Sequence, residues 1–162
     1  NIEVEVPPGV TSENFISLRG KGNIGPRNGP RGDTVVLLDV QEDDRFFRDG
    51  ADLYFELPIT FSQATLGAEV EIPTILERVN LKIPAGTQSG EVLRLRGKGL
   101  PDLQGQSQGD QLVRIVVWTP DRLTEEQEDV FKTLRSVEDT APESVDADGD
   151  KGVWSRVKEA FR

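Results

Sequence analysis

The five residues Leu18-Arg19-Gly20-Lys21-Gly22 occur a second time as Leu95-Arg96-Gly97-Lys98-Gly99. The offset, 77 residues from Leu18 to Leu95, holds without a gap between residues 2–40 and 79–117. Pro7 and Gly9 meet Pro84 and Gly86, Ser12 meets Ser89, Gly32-Asp33 meets Gly109-Asp110, and Val36 and Val40 meet Val113 and Val117. Where identity fails, apolar character persists: Val4 with Leu81, Val6 with Ile83, Phe15 with Val92, Ile16 with Leu93, Leu38 with Ile115. A supersecondary unit used twice constrains the fold more than any single element does.

The repeating unit reads as β. Ile2, Val4 and Val6 alternate with Glu3 and Glu5, the period of a half-buried strand. Pro7-Pro8-Gly9 turns the chain, and Phe15, Ile16 and Leu18 give a second short strand. Residues 20–32, with five glycines and two prolines, read as a long irregular loop. The apolar run from Thr34 to Val40 suits a strand buried on both faces or crossing a core. Between the copies, Leu53 to Ile59 and Glu69 to Ile72 read as strands. Ser62 to Leu66 reads as one or two helical turns, with Ser62 as N-cap and Gly67 just past the end. These last elements precede the second copy and have no counterpart before Ile2. With no Met at position 1 or anywhere else, we expect a chain that starts inside a longer protein, with its first β-domain incomplete.

After the second copy the pattern changes. Thr124-Glu125-Glu126-Gln127 is a capping box, and Leu123, Val130, Phe131 and Leu134 put an apolar stripe on the helix it opens. Residues 136–150 hold six acids, no base and a proline, and read as a flexible linker. Then Val153, Trp154, Val157, Ala160 and Phe161 recur at helical spacing, with Lys151, Arg156, Lys158 and Arg162 on the other face. Such a stripe on a tether docks on its own domain, on a second copy, or on a membrane surface. The expected fold is therefore mainly β: two tandem, similar β-sandwich-like domains, the first incomplete, followed by C-terminal α-helices. The boundaries fall at 1–45, 46–119 and 120–162, the last containing the acidic linker.

Composition removes several functions. The net charge of −10 argues against a nucleic-acid partner. It fits a solvated surface or adaptation to high salt. No run approaches the length of a membrane span. Without Cys or His there are no disulfides, no thiolate or imidazole metal ligands and no histidine acid–base chemistry. Arg-Gly-Lys-Gly lacks the remaining residues of a phosphate loop and reads as a β-turn. Arg31-Gly32-Asp33 is matched by Gln108-Gly109-Asp110, so what recurs is Gly-Asp opening a strand, not an adhesion tripeptide. Asp146, Asp148 and Asp150 have calcium-loop spacing, but Lys151 and Val157 stand where that loop needs Gly and Glu. No catalytic residue and no metal site is expected, and the chain is not expected to be an enzyme.

The repeated Pro-x-Gly…Leu-Arg-Gly-Lys-Gly…Gly-Asp, the segment Phe47-Arg48-Asp49-Gly50-Ala51-Asp52-Leu53 and the segment Ala64 to Thr74 resemble the C-terminal substrate-binding region of bacterial DnaJ co-chaperones. Gln88-Ser89-Gly90 and Trp118-Thr119-Pro120 fit as well. The resemblance covers residues 1 to about 136. It implies two similar peptide-binding β-domains and a parent whose J-domain stimulates the ATPase of DnaK. Zinc is implied only for a cysteine-rich domain that this chain does not hold, so no cofactor is expected here. The resemblance further implies that an extended apolar segment of an unfolded client pairs with a strand edge while its side chains enter a shallow pocket. Two pocket positions of the family map onto Ile2 and Val36, and Val4 and Leu38 are their same-face neighbours. The family's C-terminal segment makes a homodimer, for which Val153, Trp154, Val157 and Phe161 are the candidates. The expected partners are unfolded clients, a DnaK-type chaperone reached through the parent and a second copy, in the cytoplasm, with neither nucleic acid nor membrane. Two alternatives remain: a tandem β scaffold for a specific folded partner, and a hydrolytic β-sandwich using surface carboxylates.

Overall fold

The computed structural model describes residues 2–103 and 105–142. The strands of the first copy are β1 (Phe15–Leu18), the short β2 (Ile24–Gly25) and β3 (Gly29–Arg31), and β4 (Thr34–Leu37). Between the copies stand β5 (Phe47–Asp49), β6 (Asp52–Thr60), helix α1 (Phe61–Leu66) and β7 (Ala68–Pro73). The second copy supplies β8 (Arg78–Ile83), β9 (Val92–Leu95) and β10 (Gln111–Trp118), and helix α2 (Glu125–Val137) follows. The chain is mainly β, as the sequence implies. Strands β1 and β4 form an antiparallel pair, β2 and β3 another, and β7 and β8 a third; β5, β6, β10 and β9 form a four-stranded sheet in that order.

The duplication reappears as hydrogen bonds. The Gly20 N–H donates to Asp33 Oδ1 at 2.9 Å, and the Gly97 N–H to Asp110 Oδ1 at 2.8 Å. The Val40 N–H donates to Ser12 Oγ at 2.9 Å, and the Val117 N–H to Ser89 Oγ at 3.1 Å. The Gly22 N–H meets the Gly32 carbonyl at 2.7 Å, and the Gly99 N–H the Gly109 carbonyl at 2.8 Å. Ile24 pairs with Arg31 as Pro101 bridges Gln108. Each member of these pairs lies 77 residues from its mate. Both Arg-Gly-Lys-Gly turns hold their first glycine at positive φ, 66° at Gly20 and 64° at Gly97, where a side chain would be strained. The loop at 20–32 is more ordered than its glycine content suggests, since β2 and β3 make a small hairpin within it.

The chain divides into two compact units. One comprises Asn1–Phe55 and Leu95–Gln111; the other comprises Glu56–Arg94 and the described residues from Leu112. In the first unit Phe46, Leu53 and Tyr54 are buried. Arg48 is its polar fastening: the guanidinium donates to the carbonyls of Gly9 and Val10 at 2.7 Å each and of Gly50 at 2.8 Å. Gly9 packs against the Pro101 carbonyl so closely that no Cβ could stand there. In the second unit Leu57, Ile59, Ala64, Ile72, Leu81, Ile83, Val113 and Ile115 form the core. Helix α1 is capped by Thr60 rather than Ser62. Thr60 is extended (φ −76°, ψ 159°), and its side chain and the Gln63 side chain exchange bonds with each other's backbone N–H. That is the same Thr-x-x-Gln box that opens α2 at Thr124 and Gln127.

Two expectations change. No strand forms over Ile2–Val6. Its repeat mate β8 is a strand because six residues pair with β7, from Ala68↔Ile83 to Pro73↔Arg78; residues 2–6 have no such neighbour among the described residues. The run from Thr34 to Val40 is not buried on both faces. Its strand ends at Leu37, and burial alternates along it.

Candidate apolar binding face

Register fixes what the first copy displays. Phe15 lies opposite Leu37, Ile16 opposite Val36, Ser17 opposite Val35 and Leu18 opposite Thr34. Side chains alternate across a strand, so the β1–β4 pair has two faces. One presents Ile16, Leu18, Thr34 and Val36, all half-buried, and Leu38 continues it just past the strand end, also half-buried. The other presents Phe15, Val35 and Leu37, which are 63%, 56% and 81% exposed.

Of the residues singled out from sequence, Val36 and Leu38 therefore share a face, with Ile16 and Leu18 beside them. Val4 is half-buried, and Ile2 is 51% exposed; neither belongs to a strand. The repeat gives each a mate in the second copy. Val113 and Ile115, the mates of Val36 and Leu38, are 0% exposed, and Leu81, the mate of Val4, is buried as well. Val79, the mate of Ile2, is half-buried. The candidate face thus has the apolar composition of a core layer, and in the second copy Val113 and Ile115 at the matching positions are core residues. Val153, Trp154, Val157 and Phe161, the dimerisation candidates, lie outside the described residues, as does the acidic linker beyond residue 142.

Three exposed apolar features stand apart from this face, and the sequence reading pointed only to the third. The Phe15–Val35–Leu37 face is one; the strand assignments contained it, but the all-apolar run suggested burial on both sides. The β7–β8 hairpin tip is the second. Thr74 and Glu77 close that turn by three hydrogen bonds, and Leu76 at its apex is 87% exposed. The third is the α2 stripe. Leu123, Val130 and Phe131 are exposed, Leu134 is half-buried, and no residue of α2 is buried.

Electrostatics contribute little at the candidate face, whose members carry no titratable group. The Asp43 carboxyl nearby in sequence is held down at about 2 by hydrogen bonds from the Arg45 side chain and backbone. Zinc, which the family resemblance attaches to a cysteine-rich segment, has no thiolate or imidazole to hold it in this chain. No group of three metal-ligating residues occurs among the described residues. Among the same residues no helix is long and apolar enough to cross a membrane.

The family described as DnaJ C terminal domain matches residues 1–120. Chaperone protein DnaJ of Salinibacter ruber is 40% identical over 161 residues, covering 99% of this chain and 42% of that protein. The Roseiflexus protein of the same name is 45% identical over 161 residues, covering 99% and 43%. That of Clostridioides difficile is 45% identical over 131 residues, covering 81% and 34%. The chain spans less than half the length of these curated relatives.

Proposed function

Since the chain belongs to the DnaJ C-terminal domain family, we propose that it is the client-binding part of a co-chaperone. It takes up exposed apolar segments of unfolded or misfolded proteins, and a DnaK-type chaperone receives them through the parent protein. One observation carries this reading: the face of Ile16, Val36 and Leu38 is apolar and half-buried in the first copy, while Val113 and Ile115, the mates of Val36 and Leu38, are fully covered in the second. An incoming side chain would gain there what Val113 and Ile115 gain from their own core. Burial of one Leu-sized side chain contributes roughly 1.5–3 kcal/mol. Several such side chains with main-chain pairing give weak, sequence-tolerant binding that reverses readily. Ile2 and Val4 precede this face, and we assign them to the same pocket. The mechanism is reversible burial, without bond-making or bond-breaking, in the cytoplasm.

Two weak sites on one assembly bind more tightly than either alone through effective concentration. We therefore assign homodimer formation to the C-terminal region, with Val153, Trp154, Val157 and Phe161 as contact residues. The exposed stripe on α2 offers these residues or their copies an apolar surface.

Suppression of aggregation of a chemically denatured, unrelated protein tests the client reading. The expected result is suppression by the wild-type chain and its loss in Val36→Asp, with the melting profile unchanged. Equal suppression by both proteins would overturn the assignment of this face. Selective capture of one folded protein, with no effect on unfolded ones, would favour a scaffold. Molar mass in solution, with and without residues 140–162, tests the dimer; an unchanged oligomeric state on truncation would remove the terminal residues from the interface.

A further inference from the structure

The second face of the β1–β4 pair is apolar and exposed. Phe15 stands directly across from Leu37, and Val35 is two residues from Leu37 on the same side. Directly opposed side chains lie about 5 Å apart at Cβ, so these three form one continuous apolar strip. The repeat supplies an internal standard. The positions matching Phe15, Ser17, Val35 and Leu37 are Val92, Arg94, Leu112 and Arg114. Two of the four are arginines, and Arg114 pairs with Glu56 at 3.2 Å. The same backbone unit thus carries a charged surface in one copy and an apolar surface in the other. The first-copy residues are exposed, whereas Val92, Leu112 and Arg114 are half-buried.

One end of the strip is acidic. The Val40 N–H on Ser12 Oγ holds residues 12 and 40 together beyond the strands. Glu13 and Asp39 therefore lie at the same end, both exposed. Their mates in the second copy are Gly90 and Val116, so the carboxylates too belong to the first copy alone.

We propose that the Phe15–Val35–Leu37 face is a second seat for segments of a non-native polypeptide, selecting an apolar stretch with Lys or Arg beside it. This rests on the client-binding reading and adds to it a substrate class and a second surface. The apolar strip supplies affinity through burial. Glu13 and Asp39 supply the preference, because exposed carboxylates attract a neighbouring cation and repel an anion, an effect that salt screens.

The test is fluorescence anisotropy of the chain with labelled peptides sharing one Leu-rich centre and flanked either by lysines or by glutamates. The variants are Leu37→Arg and Ser17→Arg, which install the residues the second copy tolerates, the pair Glu13→Gln with Asp39→Asn, and Val36→Asp on the opposite face. Leu37→Arg is expected to weaken the lysine-flanked peptide about tenfold. Neutralising Glu13 and Asp39 is expected to shrink the lysine-over-glutamate preference about threefold, as does high salt. Wild-type binding that ignores the flanks, or binding that Leu37→Arg leaves unchanged, would overturn the proposal. Loss with Val36→Asp but not with Leu37→Arg leaves the inner face as the only site, so this proposal fails and the client reading survives. Loss with Leu37→Arg alone removes the inner face and keeps the outer. Binding that withstands both variants overturns both assignments.

Discussion

The two copies of the repeat make the same hydrogen bonds and bury different amounts of surface. The Gly20 and Gly97 N–H groups donate to matching aspartates, Asp33 and Asp110, the Ser12 and Ser89 hydroxyls accept from matching N–H groups, those of Val40 and Val117, and the distances agree within 0.2 Å. Yet none of the residues between 2 and 45 whose burial is described is buried, whereas Val113 and Ile115 are inaccessible. Turn and ladder geometry therefore follow from the unit's own residues. Burial depends on what packs against the unit: in the second copy, β6, α1 and β7 contribute Leu57, Ile59, Ala64 and Ile72 to the core. Among the described residues, none before the first copy supplies elements matching β6, α1 and β7.

Paired substitutions at matched positions probe this contrast. The largest difference is expected at the glycine before the long strand. A Cβ at Gly109 would collide with the Ala51 carbonyl, while at Gly32 the nearest atom lies 3.9 Å away. Gly109→Ala should cost about 3 kcal/mol or more, because backbone must separate from backbone. Gly32→Ala should stay within about 0.5 kcal/mol. Urea unfolding followed by circular dichroism reads both, and equal costs would show that the copies are packed alike. Next come the core positions. Ile115→Ala should lose about 2–5 kcal/mol and Leu38→Ala less than about 1 kcal/mol, measured the same way. The shared hydrogen bonds should behave oppositely: Ser12→Ala and Ser89→Ala should each cost about 1 kcal/mol and differ little from one another. A large difference between them would show that one bond is supported by its surroundings.

The smallest effect belongs to Asp43, whose repeat mate is Pro120 and which has no equivalent pair in the second copy. Its carboxyl is lowered from 3.8 to about 2 by Arg45. A depressed folded-state value contributes stability above the unfolded value, and that contribution fades as pH falls from about 3.8 through about 2. The pair is fully solvated, so the change in stability should be slight. Carboxyl chemical shifts should nevertheless place the Asp43 midpoint near 2 and return it to the ordinary range in Arg45→Gln.

Much of this was legible in the sequence. Seven of the ten strands fall where turn glycines and apolar runs placed them, β2, β3 and β5 being the exceptions, and the Thr124 box marked α2. The errors share one cause: a property of the surroundings was read as a property of the segment. Ile2, Val4 and Val6 alternate correctly, but a strand requires a partner as well as a pattern. Thr34 to Val40 is apolar enough for burial, and exposure follows from what lies beside it. The Thr60 cap is a different kind of miss. Thr60-Phe61-Ser62-Gln63 is the signature recognised at Thr124, hidden by the equally plausible Ser62 two residues later.

Arg48 shows what a joint within the first unit tolerates. Its three carbonyl partners are held by one flat, forked guanidinium. A lysine there would keep the charge and lose the fork, since an ammonium on a flexible stem cannot match three fixed acceptors so well. At this joint shape matters beyond charge, and the conservative exchange is the one that would undo it.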